Sequence, residues 1–365
     1  MSETAASLIP TPTPPAPVEF DFTARPSGAM PSADTVMLVL SRAACMTIVL
    51  MLVALMFVLG RGAWLSIKTF GVSFPVTADW RKEPTVARGP DGKFLRDEAG
   101  KIVKLPGNTY GAAAVIYGTV TSSIIALVLA IPPSFAAALF LVRIARGWFG
   151  AGISFLIEFL AAIPSLAYGL WGMFVLRGLL RDHIEPFLIN HFSHLPGLGW
   201  FFYDERGQLL PATGQDLLAG GLILGIMILP IITSVSRDVL RAVPSAQIEG
   251  TVALGATWWQ SCIEMLKYSR SGLFGAIMLG LARAAGETMA VAMVIGITTQ
   301  AKPSLLAPAQ TMATLLAVSF GETNDALELS SLVNVALILL VMSLMINIVA
   351  RYLVVGKNAR GAAGH

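Results

Sequence analysis

Six long apolar stretches constrain the fold of this 365-residue chain more than any other feature of its sequence. An α-helix needs about 20 apolar residues to cross a hydrocarbon core about 30 Å thick. Lipid offers no hydrogen-bond partner to an open strand edge, and none of the stretches alternates apolar and polar residues as a barrel strand does. Each is therefore expected to be a helix, and the six lie at 36–60, 112–142, 151–177, 217–236, 272–298 and 332–352.

The composition agrees with a chain whose main solvent is lipid. It is 55% hydrophobic and only 13% charged, whereas soluble domains average about 45–50% apolar and about 25% charged residues. We therefore predict an all-α polytopic membrane protein with six transmembrane helices. The net charge of +3, without a basic module interleaved with aromatics, indicates no nucleic-acid partner. Cys45 and Cys262 are predicted at different membrane depths and are not expected to pair.

The segments around these stretches predict the remaining domains. Residues 1–35 contain seven prolines and few large apolar groups, which predicts a disordered cytoplasmic arm. The first span, 36–60, follows no cleavable signal and should remain as an anchor. The polar segment 61–111 is predicted to be extracytoplasmic, with a small β-hairpin at 92–106. In that hairpin, strands Lys93–Arg96 and Ile102–Leu105 flank a turn at Glu98, Ala99 and Gly100.

Basic residues favour one orientation in the bacterial inner membrane. Arginine and lysine concentrate in 143–150, in 237–271 and in the tail 353–365 with its flanking Arg351, which places these segments and both termini in the cytoplasm. The outer loop 61–110 has nine basic and five acidic residues and departs from this rule, although long loops cross largely regardless of charge. Pro132, Pro133 and Pro164 predict kinks in the second and third spans.

A segment between the fourth and fifth spans, 245–272, has the pattern of two short helices. Glu249, Gly250 and Thr251 lie near a helix start, the small residues permit close contact with another surface, and Gly255 can supply the positive φ of a turn. Two interpretations are open from the residues alone. The segment is either a helix-turn-helix that transmits force to a partner or a surface helix in the headgroup zone.

The fifth span carries two charges, Arg283 and Glu287. A charged side chain at mid-bilayer costs about 2.5–3.5 kcal/mol on insertion scales. On a continuous helix the two residues would share one face and pair. The pair is either a self-neutralised packing device or a binding position for an anion, because a guanidinium presents a planar fork of donors. Glu158 is a second candidate, or a charge that reaches the interface from a helix end.

Several chemical functions are excluded. Each Gly-Lys pair lacks the following Ser or Thr of a phosphate-binding P-loop, so the chain should bind no ATP of its own. No nucleophile or acid–base pair is recognisable, which predicts a chain that is not an enzyme. A group of potential metal ligands is assigned to an irregular outer loop without a helical frame, and we expect no metal site there. This group consists of Asp182, His183, Glu185, His191 and His194.

Four stretches resemble known permeases. Segment 245–268 resembles the EAA loop of ABC-transporter permeases, since Glu249 and Gly255 keep its spacing; Gly-Thr replaces its Ala-Ala, and Lys267-Tyr268 replaces its proline. The others resemble PstC-type permeases of the high-affinity phosphate ABC importer: "YGAAAVIYGTVTSS" (110–123), "IEFLAAIPSLAYGLWGMFVL" (157–176) and "GLARAAGETMAVAMVIG" (280–296). The resemblance covers roughly residues 60–350, and relative to it the hairpin is an insertion.

The resemblance implies a permease subunit of an ATP-driven phosphate importer with the type I architecture, a core at 112–352 and a coupling loop at 245–271. It places Arg283 and Glu287 on the translocation pathway, and Gly286 and Thr288 would add close backbone approach and a hydroxyl. The implied partners are a PstA-like second permease, PstB-like ATP-binding subunits and an extracytoplasmic PstS-like phosphate-binding protein. ATP and magnesium would be bound by the PstB-like partner, and no cofactor by this chain.

Other functions remain open at this point. An arginine fork accepts other tetrahedral oxyanions, so the cargo could be one of these. A membrane scaffold that senses phosphate through partners is a second alternative. A self-sufficient carrier or channel is a third, although the chain shows no duplicated halves of the kind common in such carriers.

Overall fold

The computed structural model describes residues 33–86, 104–105, 107–145, 147–195, 199–203, 208–298 and 304–362. These residues are mostly helical, and the predicted arm lies outside them except for its last three residues, which begin the first helix. The helices are α1 (Ala33–Gly62), α2 (Trp64–Phe70), α3 (Ala113–Arg143), α4 (Gly147–Ala162), α5 (Ser165–Trp171), α6 (Arg177–Leu179), α7 (Glu185–Phe192), α8 (Leu217–Arg241), α9 (Ser245–Ala253), α10 (Trp258–Tyr268), α11 (Arg270–Ala285), α12 (Met289–Val294), α13 (Met312–Ser319) and α14 (Ala326–Ala362).

Four of the described helices are long and apolar enough to cross a bilayer: α1, α3, α8 and α14. Together they contain four of the predicted spans: 36–60, 112–142 except its first residue, 217–236 and 332–352. Helix α14 also includes most of the predicted tail. The chain divides into two compact units, the first ending at Val53 and the second beginning at Ala54. In the first unit, the apolar side chains of α1 are exposed. All packing described below lies within the second unit.

The third predicted span is broken rather than gently kinked. Helix α4 and the helical segment Ser165–Phe192 meet at an angle of 89°. Pro164 explains the break, because proline cannot donate a backbone hydrogen bond and disfavours a helical residue before it. The prediction of an irregular loop after residue 177 is wrong, since π-helical turns at Gly172–Leu176 and Leu180–Ile184 join α5, α6 and α7 as far as Phe192. Helix α3 continues through Pro132 and Pro133.

The fifth predicted span, 272–298, is also interrupted. Helix α11 ends at Ala285, and α12 begins at Met289. The three residues between them, Gly286 to Thr288, belong to neither helix. The prediction of one continuous helix is therefore wrong at the position of its two charges.

Helices α3, α8 and α11 pack closely through small residues. A Cβ atom on Gly221 of α8 would lie 2.4 Å from Cγ2 of Ile125, and one on Gly280 of α11 would lie 2.7 Å from Cδ1 of Ile232. Ile223 and Ile228 of α8 are fully buried in the same core. In lipid, helices associate through packing rather than a hydrophobic driving force, so glycines that let backbones approach are effective contacts. Helix α8 is accordingly the best-buried span.

A small antiparallel β-ribbon follows α2, but its pairing differs from that of the predicted hairpin. Its strands are β1 (Trp80–Arg81), β2 (Thr85–Val86), β3 (Lys104–Leu105) and β4 (Thr109–Tyr110). Trp80 pairs with Tyr110, and Thr85 pairs with Leu105. The described part of the predicted second strand, Lys104–Leu105, therefore pairs with Thr85–Val86, whereas 93–96 was the predicted partner. The predicted turn and first strand lie outside the described residues.

Gly118 of α3 provides a test of this close packing. A Cβ there would lie 2.2 Å from the carbonyl oxygen of Gln310, just before α13. Overpacking of this kind costs about 1–3 kcal/mol, so Gly118→Ala should lower the melting temperature of the purified protein in detergent. Gly152 of α4 has no atom within 4 Å of a Cβ. Gly152→Ala is the control and should leave the melting temperature unchanged or raise it, because alanine favours a helix. Equal melting temperatures for the two variants would contradict the packing described.

Candidate functional site

The candidate site lies where α11 ends. Arg283 is in the last turn of α11, and its Nη2 lies 3.6 Å from Oε2 of Glu287. The two side chains differ sharply in exposure, with 49% of the Arg283 side chain accessible but only 5% of that of Glu287. The predicted pair is present, and its carboxylate is buried while its guanidinium is open.

The helix break sets the position of Glu287. Gly286 caps α11, and the N–H of Glu287 donates to the carbonyl of Ala284 over 3.3 Å. The side chain then turns toward α12, where Oε1 accepts from the N–H of Ala290 over 3.3 Å. A carboxylate is favourable at a helix start because the first backbone N–H groups lack helical partners. The expectation that Glu287 shares a helical face with Arg283 is wrong, because it lies beyond the end of α11.

The guanidinium of Arg283 is only loosely paired. Its 3.6 Å contact is longer than the about 2.7–2.9 Å of a charge-assisted hydrogen bond. Leu279, Ala282, Gly286 and Met289 are exposed beside it. In the described part of the chain, the donors of this guanidinium therefore lie at a face that the chain does not cover.

The other two predicted site residues lie at the same break. A Cβ on Gly286 would make only an ordinary contact, 3.5 Å from the carbonyl oxygen of Ala282, so the space beside Gly286 is open. The hydroxyl of Thr288 donates to the carbonyl oxygen of Gly286 over 3.3 Å. The structure therefore places Gly286, Glu287 and Thr288 in the irregular backbone directly after the last turn of α11, which carries Arg283.

Glu158 belongs to a different cluster. Its Oε1 accepts from Nη1 of Arg237 over 3.0 Å, which connects α4 to α8. Arg237 also donates from Nε to Asp238 over 3.0 Å, and its side chain is only 8% exposed. From its sequence, Arg237 is only one of several basic residues in the predicted loop 237–271. The structure places it as a nearly buried cation held by two carboxylates, so the described contacts of Glu158 are with α8 and not with Arg283.

The predicted coupling segment forms two short helices joined by a turn. Helices α9 and α10 flank Gly255, whose φ of +84° only glycine adopts readily. Thr257 and Gln260 form a capping box at the start of α10, and the hydroxyls of Thr251 and Ser261 lie 2.9 Å apart across the two helices. Glu249 and Gly250 are exposed. The segment thus presents a fixed helix-turn-helix with Glu249 and Gly250 accessible. Thr251, which was also predicted to dock, is half-buried and bonded within the segment.

The helix-turn-helix is connected directly to the candidate site. Its inner face packs against α3, α8 and α11 in a cluster of Ala138, Leu240, Met265 and Leu273. Only Ser269 separates α10 from α11, and Arg283 lies at the far end of α11. With a rise of 1.5 Å per residue, the two ends of α11 are about 20 Å apart. A displacement of α10 would therefore be transmitted directly to α11.

The histidines considered as metal ligands lie on or next to helical turns. Nδ1 of His191 lies 2.9 Å from the carbonyl oxygen of Phe187, and the two rings are 4.2 Å apart. The described residues contain no group of three or more side chains placed to hold a metal ion. The burial of two carboxylates, Glu185 and Asp216, was not predicted: Glu185 was considered only as a potential metal ligand, and Asp216 was not singled out.

Comparisons with known proteins find relatives over most of the chain. Residues 130–356 match the family described as the binding-protein-dependent transport system inner membrane component. The phosphate transport system permease protein PstC of Haemophilus influenzae is 39% identical over 306 residues, covering 84% of this chain and 88% of that relative. The PstC of Mesorhizobium japonicum is 36% identical over 331 residues, covering 90% and 92%. A structure titled as an inward-facing MetNI methionine ABC transporter aligns with 66% of this chain and 94% of its own at 15% identity, with a TM-score of 0.47.

The two roles of the Glu287 carboxylate can be separated by mutation. Glu287→Gln keeps an oxygen for the N–H of Ala290 but loses the charge facing Arg283, whereas Glu287→Ala loses both contacts. An unsatisfied buried donor costs about 1–3 kcal/mol, so the melting temperature in detergent should fall most for alanine and less for glutamine.

Glu264 provides the control for this pair of variants. It forms an exposed ion pair with Lys267 at 2.7 Å, and exposed pairs contribute little to stability. Glu264→Ala should therefore melt close to the wild type. If Glu287→Ala also melted like the wild type, Glu287 would not hold the break between α11 and α12.

Proposed function

Because the chain belongs to the family of binding-protein-dependent transport system inner membrane components, which its match over residues 130–356 shows, we propose that it is the permease subunit of an ATP-driven phosphate importer. Relatives named as phosphate permeases are 36–39% identical to it over most of their length. The observation that carries the proposal is structural. A half-exposed arginine, steadied by a buried carboxylate, lies at a break inside an apolar helical bundle.

The chemistry of phosphate fits this site. Near neutral pH phosphate is an anion, and moving it into a medium of low dielectric constant is prohibitive unless fixed donors replace its water. The guanidinium of Arg283 is permanently charged, and its planar fork matches two phosphate oxygens. Glu287 would orient this fork and weaken its attraction, so that the ion is held briefly and can leave.

Half of the pathway would come from this chain. Arg283 lies on an exposed face with Leu279, Ala282 and Met289. An arginine facing hydrocarbon is costly, so this face requires either water or another protein beside it. A PstA-like second permease would cover it and complete a water-filled route with Arg283 at its side.

Energy would enter through α9 and α10. These helices would dock on a PstB-like subunit that binds ATP and magnesium and carries out the hydrolysis, so this chain is not itself an enzyme. Closure of the ATP-binding subunits would displace α10 and, through Ser269, α11 with Arg283 at its far end. The route would then alternate between inward-open and outward-open states that the docked motor biases.

This assignment also sets the orientation. If α9 and α10 face the ATP-binding subunits, then the end of α8 that precedes them is cytoplasmic and its start at Leu217 is extracytoplasmic. Both termini would be cytoplasmic, as the basic residues predict. The β-ribbon would lie outside, where a PstS-like protein delivers phosphate.

Replacement of Arg283 tests the substrate role. In vesicles containing the assembled importer and phosphate-loaded binding protein, Arg283→Ala should reduce phosphate uptake roughly 30-fold or more, because loss of a desolvated charged partner costs about 2–5 kcal/mol. Arg283→Lys keeps the charge without the fork and should fall between alanine and the wild type.

Arg181 provides the matched control. Its side chain is exposed and paired with Asp182 at 2.7 Å, and Arg181→Ala should transport normally. Normal uptake by an assembled Arg283→Ala importer would contradict the pathway role. Uptake of sulfate or another oxyanion in place of phosphate would show that the cargo is misassigned, and unimpaired uptake without this chain would indicate a sensing scaffold.

Gly255 tests the coupling role separately. Valine at a φ of +84° is strained by about 1–3 kcal/mol, so Gly255→Val should displace α9 from α10. The expected result is loss of the co-purifying ATP-binding subunit and of ATPase stimulation by phosphate-loaded binding protein. Gly60→Val is the control, since a Cβ there has no atom within 4 Å. A Gly255→Val complex with intact stimulation would overturn the docking assignment.

A further inference from the structure

Two carboxylates that transport does not use are fully buried beside each other. Glu185 is the first residue of α7, and Asp216 immediately precedes α8. Both residues have 0% exposure. Acidic residues are almost never fully buried unless they are paired, so the site requires a partner for each charge.

One oxygen of each carboxylate has an evident role. Oε2 of Glu185 accepts from the N–H of Gly214 over 3.1 Å, and Oδ1 of Asp216 accepts from the N–H of Ala219 over 2.8 Å as the cap of α8. The other two oxygens, Oε1 of Glu185 and Oδ2 of Asp216, are buried without a hydrogen-bond partner among the described residues. The two carboxyl groups lie within side-chain hydrogen-bond reach of each other.

The electrostatics favour a bound proton. Burial, and then the negative charge of Glu185, raise the pKa of Asp216 from 3.8 to about 8. Two adjacent carboxylates that cannot both ionise in a buried site commonly retain one proton. A metal ion is a poorer occupant, because the N–H groups of Gly214 and Ala219 point their positive ends at the same carboxylates.

Neither carboxylate forms an ion pair with a cation among the described residues, although Arg177, whose buried Nε has no hydrogen-bond partner there, packs against Gly214. The described polypeptide at 208–215 and 304–311, the start of α8 and all of α12 contribute no titratable side chain. Arg181 and Asp182 pair with each other in solvent at 2.7 Å. Among the described residues, Glu185 is the only titratable side chain that shifts the pKa of Asp216. The remaining titratable side chains on neighbouring described elements are Arg177, His183, His191 and Tyr203.

We propose that Glu185 and Asp216 share a single proton between Oε1 and Oδ2, and that this proton fastens α7 to the start of α8. Its release to water would leave two adjacent anions whose repulsion separates the two elements. The pair is thus a proton-binding site that acts as a pH-sensitive latch. On the orientation given by the proposed function, this proton would come from the extracytoplasmic side.

The latch would act on the segment that follows α12. The N–H groups of Leu217 and Leu218 donate to the carbonyl oxygens of Ala307 and Leu305 over 3.1 and 3.0 Å. On the same side, a Cβ on Gly296 would lie 2.7 Å from the carbonyl oxygen of Gln215. Opening at Asp216 would therefore loosen the backbone contacts of the start of α8 with Gly296, Leu305 and Ala307.

The sign of the pH dependence follows from the direction of the shift. Between about 3.8 and about 8, the folded chain retains a proton that the unfolded chain has released. This contribution to stability is fully present at low pH, falls as the pH rises through that window and is lost above it. The melting temperature should therefore decrease from about pH 6 to about pH 9 because of this pair.

The test is the melting temperature of the full chain in its assembled complex across this pH range. Asp216→Asn keeps the cap of α8 and can donate an amide hydrogen to Glu185, so at least half of the wild-type decrease should disappear. Asp182→Asn removes an exposed acid in the preceding turn and should keep the wild-type decrease. The same slope in all three proteins would overturn the shared proton.

Infrared difference spectra between the two pH limits provide a second readout if Asp216→Asn is poorly folded. The wild type should lose a protonated-carboxyl C=O band as the pH rises, and Glu185→Gln, which removes the negative charge beside Asp216, should lose its band at a lower pH. Absence of a titrating carboxyl band in the wild type would contradict the proposal. Neither measurement involves phosphate. A negative result would therefore not contradict the proposed function, and loss of transport in Arg283→Ala would not bear on the shared proton.

Discussion

The structure depends on how an arginine is kept charged inside an apolar bundle. Arg283 cannot lose its proton, and the low dielectric around it makes an unpaired charge costly. Glu287 supplies the compensating charge from a position that a continuous helix would not give it, because α11 stops at Ala285 and the carboxylate turns to hold α12. The interruption places a buried anion behind an exposed cation. In the proposed route, this arrangement would accept a second anion, and Glu287 would still pair with the arginine after that anion leaves.

The packing around α11 is part of the same arrangement. Glycines bring α11 against α8 and α8 against α3, so that these helices are in backbone proximity over much of their length. Helix α10 joins this group through the cluster around Met265 and Leu273, and one residue separates it from α11. Closely packed helices move as bodies rather than deform. A motor docked on α9 and α10 could therefore reposition Arg283 without rebuilding its pairing with Glu287.

The sequence predicted those features that depend on local chemistry. Spans α1, α3 and α8 follow from the length of their apolar runs, the turn at Gly255 from glycine's access to positive φ, and the proximity of Arg283 and Glu287 from their spacing. The break at 286–288 contains no proline, and helical periodicity continues across it, so only tertiary contacts reveal it. The burial of Arg237, Glu185 and Asp216 was likewise invisible, because it depends on contacts that are distant in sequence, such as those of Arg237 with Glu158 and of Glu185 with Gly214. Pro164 signalled a bend, but the 89° angle depends on the packing of α4 against α8.

The most direct test of the account is water access beside the intact arginine. In a chain whose native cysteines are replaced at Cys45 and Cys262, Ala282→Cys places a thiol on the exposed face next to Arg283, and Val128→Cys places one on an exposed apolar face of α3. A membrane-impermeant thiol reagent applied to the assembled importer should modify Ala282→Cys in at least one nucleotide state, and the modification should be slower when phosphate is present. The same reagent should leave Val128→Cys unmodified. An Ala282→Cys thiol that stays unreactive in every state, or reacts at a rate indifferent to phosphate, would contradict a phosphate route past Arg283.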